Sequence, residues 1–166
     1  LRSESCDIRK FIGEEADEKT DGTLAVEGEI SYSAKRAATG LNITGMDGAI
    51  TAQASYDIDN SRYETDIDIN GIDVTTIFKD LPLTDLTARI NGNGEGFDIF
   101  AKETKYDIGV SLDTVVYGDM KLNEITLNAS QANNVSSIAL ESNAEQMKFC
   151  IKAKYFVIIN AKFGNF

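Results

Sequence analysis

The chain has 166 residues, enough for one domain or for a piece of a longer repetitive protein. Its 27 acidic and 16 basic residues give a net charge of −11, which disfavours non-specific binding to nucleic acid or to an anionic membrane surface, since both need clustered Lys and Arg. There is no histidine, so the commonest general base and metal ligand are missing and Ser–His or Cys–His nucleophile pairs are excluded within the chain.

Residues 1–22 are charged and irregular. Ile8, Phe11 and Ile12 have partial helical spacing, so this stretch reads as an irregular lead-in, weakly helical or disordered. Residues 23–166 read as a β-rich domain. Leu24, Val26, Ile30 and Tyr32 alternate with Ala25, Glu27, Glu29 and Ser31, the period of a half-buried strand. A break at Lys35-Arg36 precedes Leu41 and Ile43, and Gly45-Met-Asp-Gly48 carries the Asp-Gly hairpin signal. Ile50, Ala52, Ala54, Tyr56 and Ile58 then alternate with polar residues. Asn60-Ser61 turns the chain into Tyr63, Thr65, Ile67 and Ile69, which alternate with Glu64, Asp66, Asp68 and Asn70.

The rhythm changes between Asp73 and Leu81. Val74, Ile77, Phe78 and Leu81 have the spacing of one helical face, Asp73 can cap its start, and Pro82, the only proline, stops it. One short helix near 73–81 is therefore expected. A strand over Leu86–Asn91 and a glycine-spaced turn over Gly92–Gly96 follow, and Phe97 and Ile99 open the next strand. Tyr106, Ile108, Val110 and Leu112 alternate until a turn or bulge at Val115–Asp119. Ile125, Leu127 and Ala129 form another strand, and Val135, Ile138 and Leu140 one more. A last alternating run from Met147 to Phe163 opposes Lys148, Lys152 and Lys154 in its first half and, with Phe156 and Ile158, is apolar on both faces in its second.

The fold class is thus mainly β. Roughly ten amphipathic strands must bury one face each, in a curled, groove-shaped sheet or a stacked antiparallel or mixed one. Cys6 and Cys150 permit one disulfide without showing that they meet, and are too few for a structural zinc site. No apolar run is long enough to span a bilayer as a helix, no signal-peptide pattern opens the chain, and the start at Leu1 reads as an excised fragment.

Three patterns suggest chemistry and read better as scaffold. Asp66-x-Asp68-x-Asn70-Gly71 resembles the opening of a calcium loop, but Ile77 stands where the bidentate glutamate belongs and Ile67 and Ile69 make a strand. Gly92-x-Gly94-x-Gly96 resembles a phosphate loop, but Phe97 follows where a glycine is needed and no helix begins there. The pairs Asp57/Asp59 and Asp66/Asp68 each sit at i, i+2 on one strand face, and nothing in the sequence indicates the burial that a catalytic pair needs. No catalytic constellation, cofactor site or metal site is expected, and the chain is not read as an enzyme.

Repeated amphipathic strands, then Asp73-Val-x-x-Ile-Phe-x-x-Leu-Pro82, then Leu86-x-x-x-Ile90-x-Gly92-x-Gly94 form an order that resembles the AsmA-like proteins, in particular the C-terminal β-rich region of the translocation-and-assembly module (TamB) family. The matching core covers about residues 41–128. The resemblance implies a groove-shaped sheet in the periplasm of a diderm bacterium, in a parent protein anchored in the inner membrane, that bridges inner and outer membranes and conducts phospholipid. Partners would be phospholipid acyl chains, neighbouring segments of the same chain and an outer-membrane β-barrel protein, with no nucleic acid. The proposed groove lining is Ile50, Ala52, Ala54, Ile58, Ile67, Ile69, Leu86, Ile90, Ile108, Val110, Leu112, Ile125 and Leu127. The same residues also suit a dry core between two sheets. The alternative function is a structural or assembly-factor module for outer-membrane proteins that pairs its sheet edge with a client strand.

Overall fold

A computed structural model of the chain describes residues 2–7, 23–76, 78, 80–98, 101, 103–144 and 147–156. Ten strands follow one another: β1 (Arg2–Asp7), β2 (Thr23–Tyr32), β3 (Arg36–Gly45), β4 (Gly48–Asp57), β5 (Arg62–Ile72), β6 (Leu83–Glu95), β7 (Lys105–Tyr117), β8 (Met120–Ala132), β9 (Val135–Ala144) and β10 (Met147–Phe156). They form a single ten-stranded sheet in sequence order, and every neighbouring pair is antiparallel. The expected mainly β chain of amphipathic strands is therefore what forms. Among the described residues, strands pack chiefly on those adjacent in the order. The sheet is single, open and uncurled.

Why the strands pair in this way is visible at the turns. Met46 and Asp47 (φ 53 and 57) and Asn133 and Asn134 (φ 52 and 63) each supply two left-handed residues. That conformation matches the twist of a two-residue hairpin, and it fixes β3 against β4 and β8 against β9. At the β4–β5 connection Asp57 Oδ1 accepts from the Asn60 amide N–H at 3.1 Å, and Asp57 Oδ2 accepts from Asn60 Nδ2 at 2.9 Å. Connections as short as these leave no length for a crossover, so the strands they join lie side by side.

Several sequence expectations need correction. The lead-in is not wholly irregular: Arg2–Asp7 pairs with β2. Ile8, Phe11 and Ile12 lie outside the described residues, as do residues 157–166 of the doubly apolar tail. The helix near 73–81 shrinks to a 3-10 turn over Val74–Thr76. The Asp73 carboxylate caps it as expected, accepting from Thr75 N at 2.9 Å. Thr76 Oγ1 donates to the Asp73 carbonyl at 2.8 Å, and past the turn the Phe78 N–H donates to the Val74 carbonyl at 2.9 Å. β-Branched Val74, Thr75 and Thr76 are poor helix formers, and threonine hydroxyls compete with helical hydrogen bonds.

The glycine run is also not a turn. Gly92 and Gly94 lie inside β6, which continues to Glu95. The Tyr63 ring lies so close over Gly94 that a Cβ there would collide with it and with the Lys105 carbonyl. Only Gly96 (φ 82) bends the chain. Phe97 does not open a strand; it belongs to the β6–β7 connection, and β7 starts at Lys105. Ile99 lies outside the described residues. At the next break β7 runs through Tyr117, and Gly118 (φ 57) makes the turn into β8.

Cys6 and Cys150 fall on strands at opposite ends of the sheet order, and the Cys150 thiol is free and exposed.

Candidate functional site

Residues directly opposite each other on antiparallel strands share a face, so the registers sort every strand residue to one side of the sheet. One row reads Gly28, Leu41, Ala52, Ile67, Ile90, Val110, Leu127, Leu140, Ile151 from β2 to β10. The row beside it reads Val26, Ile43, Ile50, Ile69, Ala88, Leu112, Ile125, Ser142, Phe149. On the other side of the first row lie Ile30, Thr39, Ala54, Thr65, Gly92, Ile108, Ala129, Ile138 and Ala153. Leu86 joins the same face further along β6, opposite Ile72 and Val115.

Twelve of the thirteen residues expected to line a groove thus share one apolar face: Ile50, Ala52, Ala54, Ile67, Ile69, Leu86, Ile90, Ile108, Val110, Leu112, Ile125 and Leu127. Ile58 does not. It sits beyond the end of β4 in the connecting turn, where its N–H donates to the Lys35 carbonyl at 2.9 Å and its side chain is exposed. The alternation that carries Ile50 to Tyr56 simply stops at Asp57.

Burial is one-sided. Of the buried strand residues, Leu24, Ile72, Ala88, Ile125, Gln131, Ser136, Ser142 and Ala144 all lie on the apolar side. Burial is concentrated in β6–β9. Towards the ends of the sheet the face is open: Ile30 is 81% exposed and Ile151 58%.

The reverse face is charged. Asp68 accepts from Arg89 Nε at 2.6 Å, and this pairing raises the Arg89 pKa. Lys152 Nζ stands 2.8 Å from Glu141 Oε1; its hydrogen bond, and after it one from Cys150, hold the Glu141 carboxyl below its ordinary value. Asp66 and Asp68 face water on strand β5, as a solvated strand face requires, and no metal-holding group of His, Cys, Asp or Glu occurs among the described residues.

Two features of the face were not legible in the sequence. The β6–β7 connection folds back over the apolar side at the turn end of β4–β5. Phe97 stacks on Tyr63, with ring centroids 5.2 Å apart, and leans on Tyr56 at 5.4 Å. Further along, buried Gln131 of β8 donates from Nε2 to the Ala101 carbonyl at 3.0 Å and to the Thr104 carbonyl at 3.2 Å. Its Oε1 accepts from Ser136 Oγ at 2.7 Å. These bonds satisfy the polar atoms of a buried amide while tying the connection to β8 and β9.

The second feature is the rim. The outermost rung on the charged side is Arg36, Asp57, Arg62, Glu95, Lys105, alternating in sign across five strands. Arg62 Nε lies 3.7 Å and Lys105 Nζ 3.8 Å from Glu95 Oε2. One rung inward, on the apolar side, the row is Tyr32, Ala37, Tyr56, Tyr63, Gly94, Tyr106, Gln131, Ser136, Tyr155. Five of the chain's six tyrosines fall at that register. A hollow of about 740 Å³ opens at this rim, lined by all five charged residues of the rung together with Tyr63, Tyr106 and Gln131. Each tyrosine closes or opens a strand, the only sign of the row in the sequence.

No helix among the described residues is long and apolar enough to cross a membrane. No protein-family model, curated protein or solved structure matches the chain.

Proposed function

We propose that the chain is a segment of a lipid-shielding wall, in which phospholipid acyl chains lie against the apolar face while the charged face stays in water. One observation carries this reading: an apolar face runs from β2 to β10 and, among the described residues, no second sheet packs on it, the β6–β7 connection lying over part of it. A structural core of this width would be sealed by an opposing sheet or by helices. Burying a chain of about sixteen carbons releases about 0.8 kcal/mol per methylene, on the order of 12 kcal/mol gross, without any catalytic group. Small residues, Ala52, Ala54, Ala88 and Gly92, sit among the bulkier aliphatics and leave the face uneven, as an accommodating surface for flexible chains needs. The resemblance to AsmA-like strand arrays favours the same reading and implies such a wall in a periplasm, between two membranes.

The test is to purify the chain, extract it with organic solvent and measure phospholipid by mass spectrometry, with photo-crosslinkers placed at Ile67 and Leu127. Enriched phospholipid and labelled lipid at both positions are expected. Clean extracts together with unlabelled crosslinkers would end the proposal.

A second reading is favoured by one specific observation. Among the described residues the strand order stops at β10, which pairs with β9 on one side. A strand end of this kind accepts a further strand, from a neighbouring segment or a client of an outer-membrane assembly factor. Deleting residues 156–166 is then expected to abolish client binding or self-association, and unchanged behaviour would dismiss this reading.

A further inference from the structure

We infer that the alternating rim selects zwitterionic phospholipid headgroups, an inference that rests on the acyl-shielding reading above. Lipid chains on the apolar face must leave their polar ends at one end of the strands or the other. The two ends differ in charge. At the far end the turns and nearby strand starts carry Asp47, Asp73, Asp80, Asp85 and Asp119, which repel a phosphate. At the near end the rung supplies Arg36, Arg62 and Lys105, interleaved with Asp57 and Glu95, and Glu64 and Asp107 line the same hollow, so it holds both signs of charge.

A headgroup that carries phosphate and ammonium a few atoms apart meets complementary charge in both parts: the cations take the phosphate and the carboxylates the ammonium. An anionic headgroup without the ammonium leaves Asp57 and Glu95 unanswered and faces a chain of net charge −11. The hollow at this rim is lined mainly by residues of the charged side, with Tyr63, Gly94, Tyr106 and Gln131 of the neighbouring rung beside them. The tyrosine row lies between the charged rung and the apolar face. Phenols are suited to that level, with a ring against hydrocarbon and a hydroxyl in the polar layer. The internal ion pairs of the rung are long and exposed, so exchanging them for headgroup charges costs little.

The experiment incubates the full chain with vesicles of pure phosphatidylcholine or pure phosphatidylglycerol, re-isolates the protein and quantifies bound lipid by mass spectrometry. Phosphatidylcholine uptake is expected to exceed phosphatidylglycerol uptake by on the order of five-fold, the effect of about one exposed ion pair. The double variant Asp57→Lys/Glu95→Lys makes the rung wholly basic and is expected to reverse that order. The variant Arg36→Glu/Arg62→Glu is expected to lose phosphatidylcholine and gain nothing. Circular dichroism checks that both variants keep the sheet. Equal uptake of the two lipids by the native chain, or variants with the native preference, would overturn the headgroup inference and leave the acyl-shielding reading standing. Uptake of neither lipid would overturn the reading on which it rests.

Discussion

Single atoms decide whether this sheet can lie as it does. At Gly94 an added Cβ would stand 2.6 Å from the Lys105 carbonyl oxygen and within the Tyr63 ring. Gly94→Ala is therefore expected to destabilise by about 1–3 kcal/mol in a urea titration. At Gly40 the same Cβ meets only Glu29 Cγ at 3.5 Å, so Gly40→Ala is the matched control and should change stability by under about 1 kcal/mol. Gln131 is the second such residue. Gln131→Leu leaves the Ser136 hydroxyl and two carbonyls of the β6–β7 connection without their bonds, at a cost of about 1–3 kcal/mol, and should loosen the connection first. Asp57 is the third. The Asn60 side-chain hydrogen bond, then its backbone N–H, holds the carboxyl below its ordinary value. A carboxyl depressed in the fold contributes stability above its unfolded pKa and loses that contribution as pH falls through the folded one. The β4–β5 turn should thus stay ordered through the usual carboxylate range and loosen only in stronger acid. In Asn60→Ala the Asp57 titration, followed by NMR, should move up towards the ordinary carboxylate value.

Among the elements, the hairpins were the most legible and the helix the least. The alternation around Ile50–Tyr56 and Tyr63–Ile69 located β4 and β5 because a strand's side-chain period survives any tertiary context. The four apolar positions of 74–81 matched a helix, yet the described residues form a 3-10 turn, and β-branched Val74, Thr75 and Thr76 are poor helix formers, which apolar spacing does not register. Gly92 and Gly94 looked like a turn because glycine is common in turns. They are strand residues that make room for Tyr63 and Thr65 on the next strand, a fact about neighbours. At the β3–β4 turn both central residues, Met46 and Asp47, are left-handed, where neither is at ease. Replacing them as Met46→Asn/Asp47→Gly should raise stability by about 1 kcal/mol, read from the denaturant midpoint, without altering the registers.

Among the described residues the contacts between elements run chiefly between strands adjacent in sequence, so stability is close to a sum of neighbour terms, as in repeat arrays. The longest strands are β6, β7 and β8 with 13 residues each, and the buried strand residues concentrate in β6–β9. Amide exchange followed by mass spectrometry should therefore find the slowest exchange in β6–β8 and faster exchange in β2 and β10; uniform protection would contradict a single-layer sheet. Exposed apolar residues near the ends, Ile30, Tyr32 and Ile151, make end-to-end or face-to-face association the expected response to high concentration.

The sequence by itself determined the β class, the sidedness of each strand and the acidic outer face, because these follow from period, propensity and charge within a few residues. Only the tertiary structure decided that the strands form one open layer, that twelve of the proposed lining residues share a face while Ile58 leaves it, and that opposite charges from five strands line one rim. Those are facts of register, and register is set by turns and bulges whose effect accumulates across strands far apart in the chain.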